Sequence, residues 1–195
     1  MDGNKENKKK RKTKISKEYV FQAALEVMEK KGCENTTIRD ICKKADISIG
    51  TFYNYFNTKN DIFYEIYKAA DDLFINTMDD LNSKDSAEEK IICYFRHYAK
   101  LNTDTGLEEL KLLFNPNNEW FLTRRTMQII LSDIIKKGQE NNELTKSMTA
   151  DEMVEYLFVL MRGICYNWCI SNGGYDLEEK MILYLKQILV SLKVS

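Results

Sequence analysis

The chain is predicted to be all-α, with about nine helices and no strand, and three observations carry that prediction. Capping pairs recur along it: Thr37/Asp40, Thr58/Asp61, Ser86/Glu89, Thr105/Glu108, Thr149/Glu152 and Asp176/Glu179 each set an acceptor side chain three residues before an acid. Apolar residues return every three or four positions after these pairs, which is the spacing of one helix face. Breakers are scarce, with one proline and eight glycines in 195 residues of which 44% are hydrophobic. A chain of this length can bury a sizeable core in one or two domains.

Residues 1–14 are polar and charge-rich with nothing to bury, and they read as a disordered basic arm. Between Lys5 and Lys17 stand eight basic residues and one acid, Glu6, a composition suited to following phosphates or entering a minor groove. The next domain, 15–60, begins with a helix from Ser16 to Lys31. Val20, Ala24, Val27 and Met28 make its inward face, and Gly32 ends it.

Thr36 to Lys59 reads as two short helices joined by a tight turn. Thr37 and Asp40 cap the first, which turns Ile38, Ile41 and Cys42 inward and ends at Ala45-Asp46. Ser48 caps the second, over Ile49 to Tyr55, and Phe52 and Phe56 put two rings on one side of it. At ~100° per residue, Asn54 then points most directly outward, with Gly50 and Thr51 beside it and Tyr53 and Tyr55 at the edges. A narrow hydrogen-bonding strip of this kind suits a helix set into a DNA major groove, with tyrosine hydroxyls and Thr37 on flanking phosphates. Lys59, expected in the first turn of the following helix, adds a cation beside free backbone N–H groups. The angle puts Ile49 near the core side.

The domain 61–195 holds the remaining helices. One opens at Thr58 and runs uninterrupted to Met78 with Ile62, Phe63, Ile66, Ala70, Leu73 and Phe74 inward, and Asn82 to Lys84 link it to the next. Further helices are expected to start near 87, 106, 150 and 177, and another long one to run from about Glu119, after the break at Pro116, to Gln139. The last two, divided by Gly173-Gly174, are apolar over more than one face, which calls for a second partner.

Net charge is only −1, but it is unevenly divided. Residues 1–68 carry 15 Lys and Arg against 10 Asp and Glu, so the basic surplus lies with the helix pair and the acidic remainder should face away from DNA. No apolar run approaches the ~18–20 residues of a membrane span, and no apolar region follows the charged N-terminus as in a signal peptide. Five cysteines with no CxxC pair fit a reducing cytoplasm.

Catalysis has little to build on, with one histidine, no glycine-rich phosphate loop and no nucleophile–base set, so no enzyme activity is expected. Cys93 and His97 lie i, i+4 and share a helix side, and Cys165 and Cys169 repeat the spacing. An S₃N site suited to zinc or copper(I) follows if the two helices adjoin. The ordinary reading is that these cysteines pack as small hydrophobes and His97 sits at a polar edge; on it, no metal or cofactor is expected.

The run Thr37-Ile38-Arg39-Asp40-Ile41, then Ile47-Ser48, then Gly50-Thr51-Phe52-Tyr53-Asn54-Tyr55-Phe56 and Lys59 resembles the helix-turn-helix of the tetracycline-repressor (TetR) family, and the likeness begins upstream at Ala23-Ala24-Leu25 and Lys31-Gly32. Cys42 departs from the family's usual alanine and Cys33 from a common aromatic. The resemblance implies an N-terminal three-helix DNA-binding domain, with Thr37, Ser48, Ile49, Gly50, Thr51, Tyr53, Asn54, Tyr55 and Lys59 at a double-stranded operator. It implies a C-terminal helical domain that binds a small-molecule inducer of unknown identity. Candidate lining residues are Tyr94, Tyr98, Phe114, Trp120, Phe121, Met127, Phe158 and Met161, since aromatic and methionine side chains suit a roomy apolar site. It also implies a homodimer through the last two helices, with Leu160, Gly163, Ile164, Leu185, Ile188 and Leu189 as candidate contacts. The expected function is a repressor released from a two-fold operator by ligand, through a shift of the fourth helix that changes the spacing of the two readers. The rivals are a similar DNA binder that recruits a protein, and a metal or thiol sensor on the same scaffold.

Overall fold

The structure, a computed structural model, describes residues 15–32, 35–59, 61–114 and 124–194, and the side chains of all of these except 63, 64, 66, 67, 69, 70 and 73. Among the described residues ten helices form and no strand; Leu144 and Lys193 make an isolated antiparallel bridge. The chain divides into two compact units, Met1–Ile62 and Phe63–Ser195. The basic arm, Cys33, Trp120, Phe121 and the break at Pro116 lie outside the described residues, as do the side chains of Phe63, Ile66, Ala70 and Leu73.

The first unit is built on α1 (Lys17–Lys31), α2 (Ile38–Ala45) and α3 (Ile49–Tyr53). Ser16 caps α1 by accepting the Tyr19 N–H at 3.2 Å. Gly32, at φ 78, turns the chain out of it with its N–H on the Met28 carbonyl at 2.8 Å, a backbone conformation that favours glycine. Val20, Ala24 and Met28 of α1 are fully buried, as is Ile41 of α2, and α2 packs on α1 and on α3. Phe52 and Phe56 close the core with ring centres 5.6 Å apart, and the Lys17 ammonium lies 5.5 Å from the Phe56 ring centre.

The α2 cap is reciprocal. The Thr37 hydroxyl accepts the Asp40 N–H at 3.2 Å, and the Asp40 carboxylate accepts the Thr37 N–H at 3.0 Å. The Lys31 ammonium also reaches Asp40 at 2.5 Å, and it, more than Thr37, holds that carboxyl down to about 2. A depressed folded pKa means stability present above the ordinary carboxylate range, near ~3.9, and lost as pH falls toward about 2. Thermal melts of Asp40→Ala and the parent chain are therefore expected to differ near neutrality and to converge as the pH falls through that window.

The second unit takes in α4 (Asp61–Asn76) from Phe63 on, α5 (Met78–Asn82), α6 (Ala87–Thr105), α7 (Leu107–Leu113), α8 (Thr126–Glu140), α9 (Ala150–Ile170) and α10 (Leu177–Leu192). α6 packs on α8 and α10, and α9 packs on α7, α8 and α10. Its core centres on a ring cluster: Tyr94 lies 4.7 Å from Phe74 and 5.1 Å from Phe95, and Phe158 lies 5.9 Å from Phe95 and 5.6 Å from Tyr98, centre to centre. Gly138 lets α8 come close to its neighbours, since a Cβ there would stand 2.6 Å from the Ala87 Cβ.

Four boundaries differ from expectation. The helix expected to reach Met78 stops at Asn76, where the Thr77 hydroxyl donates to the Phe74 carbonyl at 2.8 Å, and α5 follows as a tenth helix. Thr105 does not cap α7. It ends α6, its hydroxyl donating back to the Leu101 carbonyl at 2.8 Å, and Gly106 at φ 96 makes the break. The helix expected from about Glu119 starts at Thr126, because Arg125 is extended, with its N–H held by Gln128 Oε1 at 3.0 Å. The reader helix closes at Tyr53, with Asn54 as its C-cap, and not at Tyr55.

Candidate nucleic-acid interface

Ser48 sets the start of α3. Its hydroxyl accepts the Thr51 N–H at 3.0 Å and lies 2.8 Å from the Thr51 hydroxyl, so both side chains are tied into the cap. With Phe52 buried behind, the solvent side carries Ile49 (44% exposed), Gly50, Tyr53 (51% exposed) and Asn54. Ile49 thus belongs to the outward strip, against the angular estimate; α3 begins at this residue, where the regular helical angle does not yet hold. A Cβ on Gly50 would meet only Ser48 Oγ, at 3.7 Å, so nothing inside the unit requires glycine there.

The expected phosphate ligands divide into two sets. Thr37 and Tyr53 are exposed. Tyr55 and Lys59 bind the protein's own backbone: the Tyr55 hydroxyl donates to the Ile15 carbonyl at 3.1 Å and the Lys59 ammonium to the Thr36 carbonyl at 2.9 Å. Lys59 precedes α4 and does not sit in its first turn. Two further cations, Arg39 and Lys43, are exposed on α2 at i, i+4 spacing. That spacing was available in the sequence as a signal for a phosphate-facing side of α2.

The interior residues proposed for a ligand are brought together. Tyr94, Tyr98, Met127, Phe158 and Met161 are buried in one core, with the Tyr94 hydroxyl donating to the Met127 carbonyl at 2.8 Å, and Phe114 is half-buried against it. Desolvation pushes the Tyr94 and Tyr98 hydroxyls up, so both stay protonated. Charged neighbours were missed. Arg125 pairs with Asp71 at 3.1 Å in a largely buried contact, and the Arg162 guanidinium lies 5.0 Å from the Phe158 ring centre. For Arg162 the signal was a charge inside the apolar run of α9; Arg125, extended ahead of α8, carried no such mark.

The candidate dimer residues separate by burial. Leu185 and Leu189 are fully buried and Ile164 nearly so, all within the core of their own unit, and Leu160 and Ile188 are half-buried against it. Gly163 is exposed, with nothing within 4 Å of a Cβ placed there. The apolar side chains left outside are Tyr156, Val159, Tyr166 and Ile170 on α9 and Leu183, Tyr184 and Val190 on α10.

Cys93, His97, Cys165 and Cys169 do not form one cluster. Cys93 and His97 of α6 turn to Asp80 of α5, and among the described residues the group of three metal-type ligands is Asp80, Cys93 and His97. Burial pushes the Cys93 thiol up to about 11 and the Cys165 thiol up to about 12, the opposite of an activated thiol.

Residues 20–66 match the family described as bacterial regulatory proteins, tetR family. The uncharacterized HTH-type transcriptional regulator YvdT of Bacillus subtilis is 27% identical, the match covering 91% of this chain and 93% of that one. The fatty acid metabolism regulator protein of the same organism is 25% identical over 81% of this chain and 86% of its own. In fold, the chain is similar to the fatty acid degradation regulator FadR of Bacillus halodurans, with a TM-score of 0.72 at 22% identity over 91% and 96% of the two chains. It is also similar to the FadR of Bacillus subtilis solved with stearoyl-CoA, with a TM-score of 0.69 at 22% identity over 87% and 97%. Both sequence relatives are named as regulators, the first as a transcriptional one, and among the described residues no helix is long and apolar enough to cross a membrane.

Proposed function

We propose that this chain, a TetR-family transcriptional regulator, works in the cytoplasm as a homodimeric repressor that leaves a two-fold operator when its C-terminal unit binds a fatty-acyl thioester. The observation that carries the DNA-binding half is the solvent side of α3, where Ile49, Gly50, Tyr53 and Asn54 stand clear of the core. A short helix with a glycine and an amide outward can sit deep in a major groove, and Asn54 can pair bidentately with adenine. Thr37 and Tyr53, with Arg39 and Lys43, flank the groove as phosphate ligands, while Tyr55 and Lys59, bonded to the Ile15 and Thr36 carbonyls, hold the backbone behind them. Two readers ~34–36 Å apart, or a multiple of it, span successive turns of one operator.

The ligand class is supported by the fatty acid metabolism regulator among the sequence relatives and by the composition of the core. An acyl chain asks for apolar, adaptable walls, which Tyr94, Tyr98, Phe158 and Met161 supply. Arg125, paired with Asp71, and Arg162, over the Phe158 ring, are two cations of the same unit that a phosphorylated head group could engage by exchange of partners. The protein acts by binding and not as an enzyme.

Selecting genomic fragments with purified protein, then adding stearoyl-CoA to the complex, tests both halves; a selected fragment without two-fold symmetry, or one that stays bound at saturating acyl-CoA, counts against the reading. Asn54→Ala is expected to cost ~1–3 kcal/mol on the preferred base and little on its substitutes. Gly50→Ala is expected to keep or raise the melting temperature, by up to ~1 kcal/mol of helix propensity, while weakening the operator complex. Equal loss on every sequence with Asn54→Ala would remove it from base reading.

A further inference from the structure

We infer a zinc site at Asp80, Cys93 and His97, beyond the operator and acyl-thioester reading and independent of it. Two side chains of different chemistry meet at one carboxylate oxygen of a third. Cys93 Sγ lies 3.1 Å and His97 Nε2 2.8 Å from Asp80 Oδ2, and the three ligand atoms all lie within 4.8 Å of one another. Tetrahedral zinc, with bonds of ~2.0–2.3 Å, sets its ligands ~3.3–3.6 Å apart, so the two contacts with Asp80 need open by only a few tenths of an ångström, with Cys93 Sγ and His97 Nε2, within 4.8 Å of each other, brought to the same spacing.

The frame that holds them is rigid. Cys93 and His97 are i, i+4 on α6, a helix of 19 residues buried along α8 and α10, so their spacing is set by the backbone. Asp80 comes from α5, which packs on α6. Cys93 is buried, whereas Asp80 is exposed and His97 partly so, which gives an ion a way in and leaves a fourth position open to water. Thiolate, imidazole and carboxylate together suit zinc in preference to magnesium or calcium, which take oxygen ligands.

The cluster already behaves as a cation seat. Lys84 lies 2.8 Å from the other carboxylate oxygen, Oδ1, so the Asp80 carboxylate already carries a cation on the side away from Cys93 and His97. Zinc binding exchanges the Cys93 thiol proton for a Zn–S bond and releases it to solvent, while the proton on His97 Nε2 shifts to Nδ1 so that Nε2 can ligate, with no change of oxidation state. The Lys84 ammonium, about a third exposed, sits on the far oxygen and is free to swing into water as the ion enters.

The test is cobalt(II) and then zinc titration of the full-length reduced protein. One zinc per chain is expected, with cobalt giving a near-ultraviolet thiolate band and the intense visible bands of a tetrahedral site. Cys93→Ser should remove the thiolate band, and His97→Asn, at a partly exposed position that does not threaten the fold, should weaken zinc binding ~100-fold or more against a competing chelator. Circular dichroism checks that both variants stay helical. A thiolate band that survives in Cys93→Ser, or equal zinc affinity in the parent chain and His97→Asn, overturns the assignment, as does a parent chain that shows no band.

Discussion

Leu185→Glu is expected to leave the C-terminal unit without a cooperative folded state. Leu185 sits near the middle of α10 with no exposed surface, in the core shared by α6, α9 and α10. Removing the leucine gives up ~1.5–3 kcal/mol of burial. The glutamate then either ionises in an apolar core or is held protonated there without designed partners, at several kcal/mol more. The sum is comparable with the whole stability of a domain, ~5–15 kcal/mol. The same change at Lys186 or Gln187, one and two residues on and exposed, should move the melting temperature little. Far-ultraviolet melts compare the three. A Leu185→Glu chain that melts cooperatively near the parent temperature would mean that Leu185 faces a second subunit after all.

That prediction rests on a choice of face that the sequence leaves open. α9 and α10 are apolar nearly all round, so a 3.6-residue period marks them as helices without saying which stripe faces their own core. Burial decides: Leu185 and Leu189 face inward, Val159 and Val190 outward. The helix-turn-helix was legible because its determinants are local. The Thr37/Asp40 and Ser48/Thr51 caps lie within four residues, and Phe52 and Phe56 set the inward side of the second helix. The break at Thr77 was hidden because no glycine or proline marks it; a hydroxyl bonding back to the Phe74 carbonyl makes it. The pairing of Cys93 and His97 with each other was visible at i, i+4, but their partner Asp80 is set by how α5 packs on α6, and Cys165 and Cys169 looked equally eligible. Arg125–Asp71 is likewise a tertiary pairing, 54 residues apart in sequence.

Gly163→Glu is expected to do what the Leu185 change does not: separate subunits while each stays folded. Gly163 lies mid-way along α9, exposed, between Val159 (60% exposed) and Ile170 (63% exposed), and a Cβ placed on it meets nothing within 4 Å. Within one chain the change is favourable, because glycine costs a helix interior up to ~1 kcal/mol against ordinary residues. In a homodimer that packs this stripe against its own copy with Gly163 near the two-fold axis, each glutamate comes close to the other. Buried like charges then add to the desolvation cost, and the interface loses several kcal/mol. The cleft between α9 and α10, lined by Leu160, Asn167, Lys180 and Tyr184 as well as Gly163, is where an apolar side chain of the second copy would seat. Sedimentation should give a monomer of unchanged helical content. Binding to a full two-fold operator should fall ~100-fold or more, toward the level of a single half-site, because one reader contacts too few base pairs to stand above non-specific binding. A helical monomer that still binds the full operator tightly would show that pairing through α9 and α10 is not what gives DNA binding its specificity, and a Gly163→Glu chain that stays dimeric would place the interface on another face.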